Sequence, residues 1–308
     1  MSGSKRSPDP TQGAVYMPEK MSYRILSLGL KVGLSISLCV GAAAAQRVPT
    51  APTDSDVNCS GVATDQGIPK DTYVISGENS RYKNTFHPGD YVYLNHGESE
   101  GVKIGDEFEV LRPVHDIMPN RWFKWQAQLG KAMGTLYADV GLLRIVHVQP
   151  KTATAEITLA CDMMQRGDIV RPFVAHPAPP YHDVKFDPFA PPSGKKTAMV
   201  VFGKNYTQAS GANKVVYVNL GSAQGVQVGD YFRVFRYQGA RSESLYQVAN
   251  TAYKVYGFGS TPVKYQWDDL PRQVLGEGIV LRTGPNSSTV LLTTAREEIF
   301  SGDYVELE

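Results

Sequence analysis

The chain has 308 residues, 42% hydrophobic and 20% charged, a globular composition long enough for two domains. With Lys+Arg 31 against Asp+Glu 30 the net charge is +1, which disfavours a protein that grips nucleic acid by neutralising phosphates. No uncharged apolar run reaches the roughly 18 residues of a membrane-spanning helix, so a polytopic membrane protein is excluded.

Residues 1–45 read as a signal peptide. Arg24 and Lys31 supply positive charge, Val32 to Val40 an apolar core, and Ala42-Ala43-Ala44-Ala45 a small-residue cleavage region. The alternative is a retained anchor over Ile25 to Ala45, interrupted by Lys31. Cleavage after Ala45 would leave 26 basic and 28 acidic residues, a net charge of −2. Cys39 would leave with the leader, so Cys59 and Cys161 would remain, and in an oxidising compartment they are expected to pair. Two separate buried thiols are the alternative. Residues 46–58, with Pro49 and Pro52 and no periodicity, read as a disordered lead-in.

The remainder is an internal duplication. Tyr91 to Val110 lies over Val215 to Val234 at a shift of 124, with ten of twenty positions identical, among them Gly105-Asp106 over Gly229-Asp230. Tyr73 to Gly77 parallels Met199 to Gly203, and Gly167-Asp168 parallels Gly302-Asp303. The Gly-Asp pairs are expected to be structural turns, with glycine taking positive φ and aspartate bonding nearby N–H groups. Alternating runs around Tyr91, Tyr93, Val216 and Val218 predict strands, as do Gly141–Val148, Thr154–Leu159, Gly276–Arg282 and Thr289–Thr293. The expected fold is all-β: two tandem small barrels or sandwiches at 59–174 and 197–308, joined by a proline-rich linker at 175–196 that Phe186 and Phe189 could pin.

The copies differ in their insertions, Leu111 to Ala132 and Phe235 to Val274, which hold all three tryptophans. Within the first, the spacing predicts a short amphipathic helix from Arg121 to about Met133, with Asn120 as N-cap and Trp122, Trp125 and Leu129 on one face. Arg121, Trp122, Trp125, Tyr256, Phe258 and Trp267 are candidate contacts for a protein partner or for sugar rings. The competing reading makes the insertions aromatic lids over the ends of small barrels.

The string Val216 to Ser222, followed by Gly225-Val226, Val228-Gly229-Asp230, Phe232 and Val234, resembles the C-terminal domain of the flagellar assembly protein T family. Ser301-Gly302-Asp303-Tyr304-Val305 fits the same pattern. The resemblance implies a small β-barrel module of periplasmic proteins in Gram-negative bacteria, associated with outer-membrane assemblies. The whole chain also resembles two-repeat exported proteins of acidobacteria.

Catalytic signatures are missing from the sequence. No HExxH or GxSxG occurs, and the Gly194-Lys195-Lys196-Thr197 string lacks the earlier glycine of a phosphate loop. His115-Asp116 and His182-Asp183 are mere sequence neighbours. The expectation is therefore a non-catalytic protein without cofactor or metal, acting in the cell envelope as a scaffold or protein-binding module. That expectation admits peripheral membrane association; the competing expectation is binding of peptidoglycan or exopolysaccharide through the aromatic insertions.

Overall fold

The computed structural model describes residues 51–115, 122–182, 186–238 and 270–308. These residues form a mostly β protein with two strand-rich regions, one for each sequence copy. Copy one contains β1 (Val62–Thr64), β2 (Val74–Gly77), β3 (Thr85–Phe86), β4 (Tyr91–Leu94), β5 (Glu107–Val114), β6 (Thr135–Val148), β7 (Ala153–Ala160), β8 (Met164–Gln165) and β9 (Ile169–Pro172). Its seven-stranded antiparallel sheet runs β2-β4-β7-β6-β5-β9, with β1 added alongside β6. The two ends of that path meet at a bridge between Tyr73 and Ile169, where Val74 N–H donates to Asp168 O at 3.0 Å.

Copy two contains β10 (Thr197–Gly203), β11 (Ala209–Ser210), β12 (Val215–Val218), β13 (Tyr231–Arg236), β14 (Gln273–Thr283), β15 (Ser288–Ala295), β16 (Ile299–Phe300) and β17 (Tyr304–Leu307). Six of these strands close a barrel in the order β10-β12-β15-β14-β13-β17, the counterpart of copy one's path. Period-2 alternation fills each interior: Val74, Val92, Leu94, Phe108, Val110 and Leu143 in copy one, and Val200, Val216, Val218, Phe232, Val234 and Val280 in copy two.

Turn chemistry repeats between the copies down to single hydrogen bonds. Gly105 and Gly229 both have φ +92°, a conformation that other residues resist. The following carboxylates accept from the backbone three residues earlier, Asp106 from Lys103 N–H at 2.9 Å and Asp230 from Gln227 N–H at 2.8 Å. Gly97 and Gly221 are required by close approach: a Cβ would lie 2.2 Å from Gln149 O and 2.3 Å from Gly284 O respectively. The second Gly-Asp pair of each copy is held by an arginine. Arg112 Nε and Nη2 grip both oxygens of Asp168 at 2.8 Å, and Arg236 grips Asp303 in the same way at 2.7 Å.

Several expectations need correction. Residues 54–58 of the presumed disordered lead-in form α1 (Asp54–Asn58), because Thr53 and Asp56 make a reciprocal capping box and Val57 is fully buried. The first insertion begins after Val114 rather than at Leu111, because β5 continues pairing with β6 through that residue. The expected helix over Arg121–Met133 is shorter. It is α2 (Gln126–Met133), with Trp125 at the N-cap position and the Gln126 carboxamide accepting from Trp122 N–H at 2.8 Å; Asn120, the expected N-cap, lies outside the described residues.

The linker is not a free spacer. Val274 N–H donates to Pro188 O at 3.2 Å, and Phe186 and Ala190 pack against Phe235 and Val274. Residues 186–190 thus lie against the start of β14. Phe189, however, points away and pins nothing, at 76% exposure.

Candidate functional site

Residues 53–64 form a strap that ties the two copies together. On one side β1 pairs with β6, and Cys59 is disulfide-bonded to Cys161 beyond the end of β7, with 5.3 Å between Cα atoms. On the other side, copy-two side chains donate to strap carbonyls. Lys204 Nζ reaches Cys59 O, Tyr217 Oη reaches Ser60 O at 2.8 Å, Thr289 Oγ1 reaches Gly61 O at 3.0 Å, and Ser287 Oγ reaches Ala63 O. Burial and the nearby Asp139 carboxylate push the Tyr217 hydroxyl well above its ordinary range, so it stays a proton donor.

Beneath the strap lies a chain of alternating charges. Arg171 Nε donates to Glu109 at 2.6 Å, Glu109 lies 3.8 Å from Arg282, and Arg282 Nη1 donates to both Asp139 oxygens at 2.9 and 3.0 Å. Asp139 also accepts from Gly61 N–H at 2.7 Å. Burial pushes the Asp139 carboxyl upward, while Arg282 and the Gly61 N–H oppose it. A cavity of about 370 Å³ opens beside this chain, lined by Val62, Ile68, Arg171, His176, Ser222 and Arg282. His176 is shifted downward by desolvation and by Arg282, which favours its neutral form at pH 7. Both carboxylates are engaged by arginines, so the chain of charges bridges copy one, through Arg171, Glu109 and Asp139, and copy two, through Arg282.

The first insertion covers copy two. Phe123, Met133 and Leu136 join Val57 and Ala63 against Met199, Val201, Val215, Tyr217, Tyr231, Ile279, Leu281 and Leu291, and the Gln126 carboxamide donates to Val201 O at 2.8 Å. Trp122 and Leu129 pack partly into this cluster, whereas Trp125 is 48% exposed, with Lys124 Nζ 4.9 Å from its ring centre. The predicted single face of Trp122, Trp125 and Leu129 is therefore divided. Trp125 stands at the helix start, and its ring is half-exposed. Arg121, Tyr256, Phe258 and Trp267 lie outside the described residues, as do residues 1–45, expected to be a signal peptide.

The equivalent outer face of copy one is open. Tyr73, Ile75, Tyr91, Tyr93 and Val146 are each 36–41% exposed on β2, β4 and β6 and the adjoining residue 73. Strand register explains the difference. Tyr91 pairs with Glu156 where Val215 pairs with Leu291, and Glu107 pairs with Arg144 where Tyr231 pairs with Ile279. Arg144 and Glu107 form an exposed ion pair at 3.0 Å. This amphipathic tyrosine face was not singled out in the sequence, although Tyr91 and Tyr93 at alternate positions of a strand were its signal. No family model matches the chain, and no curated protein matches it either.

The Cys59–Cys161 disulfide is consistent with an oxidising compartment. Among the described residues, no helix is long and apolar enough to cross a membrane.

Proposed function

We propose that this protein is a non-catalytic binding and scaffolding module of the cell envelope, exported by its N-terminal leader and belonging to an outer-membrane assembly. The observation that carries this reading is the contrast at the junction. A disulfide-pinned strap, a buried charge chain and an aromatic insertion hold the copies as one body, while a tyrosine-lined sheet face stays open on it. Tyrosines combine apolar area with a polar tip, the chemistry favoured at protein interfaces. The turn motifs resembling the flagellar assembly protein T barrel support an envelope role. A photo-crosslinking residue at Tyr93 in cells is expected to capture a specific envelope protein other than this chain, and capture should be lost in Tyr73→Ser/Tyr91→Ser. Failure to capture any such protein would overturn the reading.

A glycan-binding role is favoured by one observation, the half-exposed Trp125 ring flanked by Lys124. Co-sedimentation with purified cell-wall sacculi that Trp125→Ala abolishes would establish that role in place of protein binding.

A further inference from the structure

The charge chain at the junction leaves its arginines with unspent donors. The cavity of about 370 Å³ beside it is lined by Arg171 of copy one and Arg282 of copy two, and by neither of their carboxylate partners, Glu109 and Asp139. Arg282 is 8% exposed, and only its Nη1 makes hydrogen bonds, both to Asp139. Its Nη2 stands 3.8 Å from Glu109, beyond hydrogen-bond reach, and its Nε has no acceptor among the described residues. Neither atom is sealed inside the protein, so both N–H edges open on the cavity that the side chain lines. Arg171 likewise commits Nε to Glu109, and among the described residues its two Nη groups donate to nothing. His176, the other titratable group of the wall, is shifted towards its neutral form, so the positive charge facing the cavity belongs to the two guanidiniums. A buried cation with idle donors is destabilising, and an anion seated on them would offset that cost.

The rest of the wall combines apolar Val62, Ile68, Leu281 and Val228 with the hydroxyls of Thr64, Ser222 and Thr283. Its volume lies within the roughly 300–1,000 Å³ of small-ligand sites. Planar guanidinium forks match a carboxylate, which takes two parallel N–H bonds from each. A carboxylate adds a single negative charge, whereas a dianion would be repelled more strongly by Glu109 and Asp139. The apolar wall suits a side chain next to that carboxylate, and the hydroxyls suit the peptide groups that follow it. We propose that this junction cavity binds a C-terminal peptide carboxylate, seated on Arg171 and Arg282 with the last residue's apolar side chain against Val62, Ile68 and Leu281. The site is separate from the open tyrosine face and stands whether or not that face binds a partner. Each copy supplies one arginine and part of the wall, so neither copy alone holds the site.

Isothermal titration calorimetry of the disulfide-intact protein at neutral pH, with acetyl-Gly-Ala-Leu bearing a free carboxylate, tests this. Saturable binding of one peptide per chain is expected, with a Kd below about 1 mM. The C-terminal amide of the same peptide should bind at least about tenfold more weakly, because it offers no carboxylate to the forks. Acetate should also bind at least about tenfold more weakly, because it leaves the apolar wall unfilled. Val228→Glu puts a negative charge on the wall at a site already 51% exposed, and should weaken the peptide by about tenfold or more. Arg171→Gln with Glu109→Gln replaces the ion pair by two neutral amides and should have a similar effect. If that double variant melts early, Val228→Glu decides alone. The proposal is overturned if no saturable binding occurs up to about 5 mM peptide, or if the amide or acetate binds as tightly as the acid. Inorganic phosphate binding more tightly than the peptide would also overturn it, as would a folded Val228→Glu that binds like the wild type.

Discussion

The two copies have the same strand path and the same turns, yet they treat the outside of the barrel in opposite ways. Copy two turns Met199, Val201, Val215, Ile279, Leu281 and Leu291 outward and has them covered. Copy one places Tyr91, Glu156, Glu107 and Arg144 at the equivalent sites and leaves them in water. The interior and the turns fix the fold, and a few outward residues on β4, β5, β6 and β7 decide whether a face becomes core or surface. Duplication preserved the backbone, and burial diverged.

The largest expected effect comes from untying the strap. Cys59→Ser with Cys161→Ser opens a loop of 102 positions and should cost about 4–5 kcal/mol in urea unfolding. If the contrast between the faces is right, hydrogen exchange should then rise in β12 and β15 while the tyrosine face of copy one changes little. Next come the paired arginine clamps. Arg236→Ala strands Asp303, which is 1% exposed, and should cost about 3–5 kcal/mol. Arg112→Ala strands Asp168, which is 3% exposed, but Arg112 is itself 26% exposed against 10% for Arg236, so the loss should be somewhat smaller, about 2–3 kcal/mol.

A third test uses pH. Burial, with Glu308 nearby, raises Glu277 to about 7 against the partial opposition of Arg233. The folded state thus holds a proton that the unfolded chain releases near its ordinary value of 4.5. This stabilising contribution is complete below that value and lost as pH rises through about 7. Glu277→Gln should therefore remove about 1–2 kcal/mol of the wild type's pH-dependent stability, read as a flatter Tm between about pH 5 and pH 8. Copy one has Leu142 at the same place opposite β5, so it contributes no such slope.

Smaller effects probe the faces directly. Tyr217→Phe deletes a buried hydrogen bond to the strap and should cost about 1 kcal/mol, whereas Tyr93→Phe at the same position of copy one should be neutral. Trp125→Ala should shift unfolding by about 1 kcal/mol, well below the ~3–5 kcal/mol of a fully buried tryptophan, because its ring is half-exposed. A large loss there would place the ring in the core.

Much of the architecture was legible because turns are local. A glycine at positive φ followed by an aspartate leaves the same mark wherever it occurs, so Gly105-Asp106 and Gly229-Asp230 disclosed the duplication. The cysteine pair was legible by count. The arginine clamps were present at the same shift of 124, Arg112 under Arg236, yet both stood at the edges of stretches read as insertions. Their partners lie 56 and 67 positions away, a relation that periodicity does not carry. The division of Trp122 from Trp125 was equally illegible. Which side of a helix start is covered depends on copy two's Met199 and Val201 meeting Phe123, a contact made only after both copies have folded.

The strap also sets an order of events in time. It is made early in synthesis, but Ser287 and Thr289, which bond its carbonyls, lie 224 and 228 positions later. Closing so long a loop is slow, and it waits for the last strands of the chain. Until then the apolar outside of copy two has no cover and is open to wrong partners. The nascent chain thus passes through an interval in which copy one is self-sufficient and copy two is adhesive, and the rate of strap docking determines how long that interval lasts.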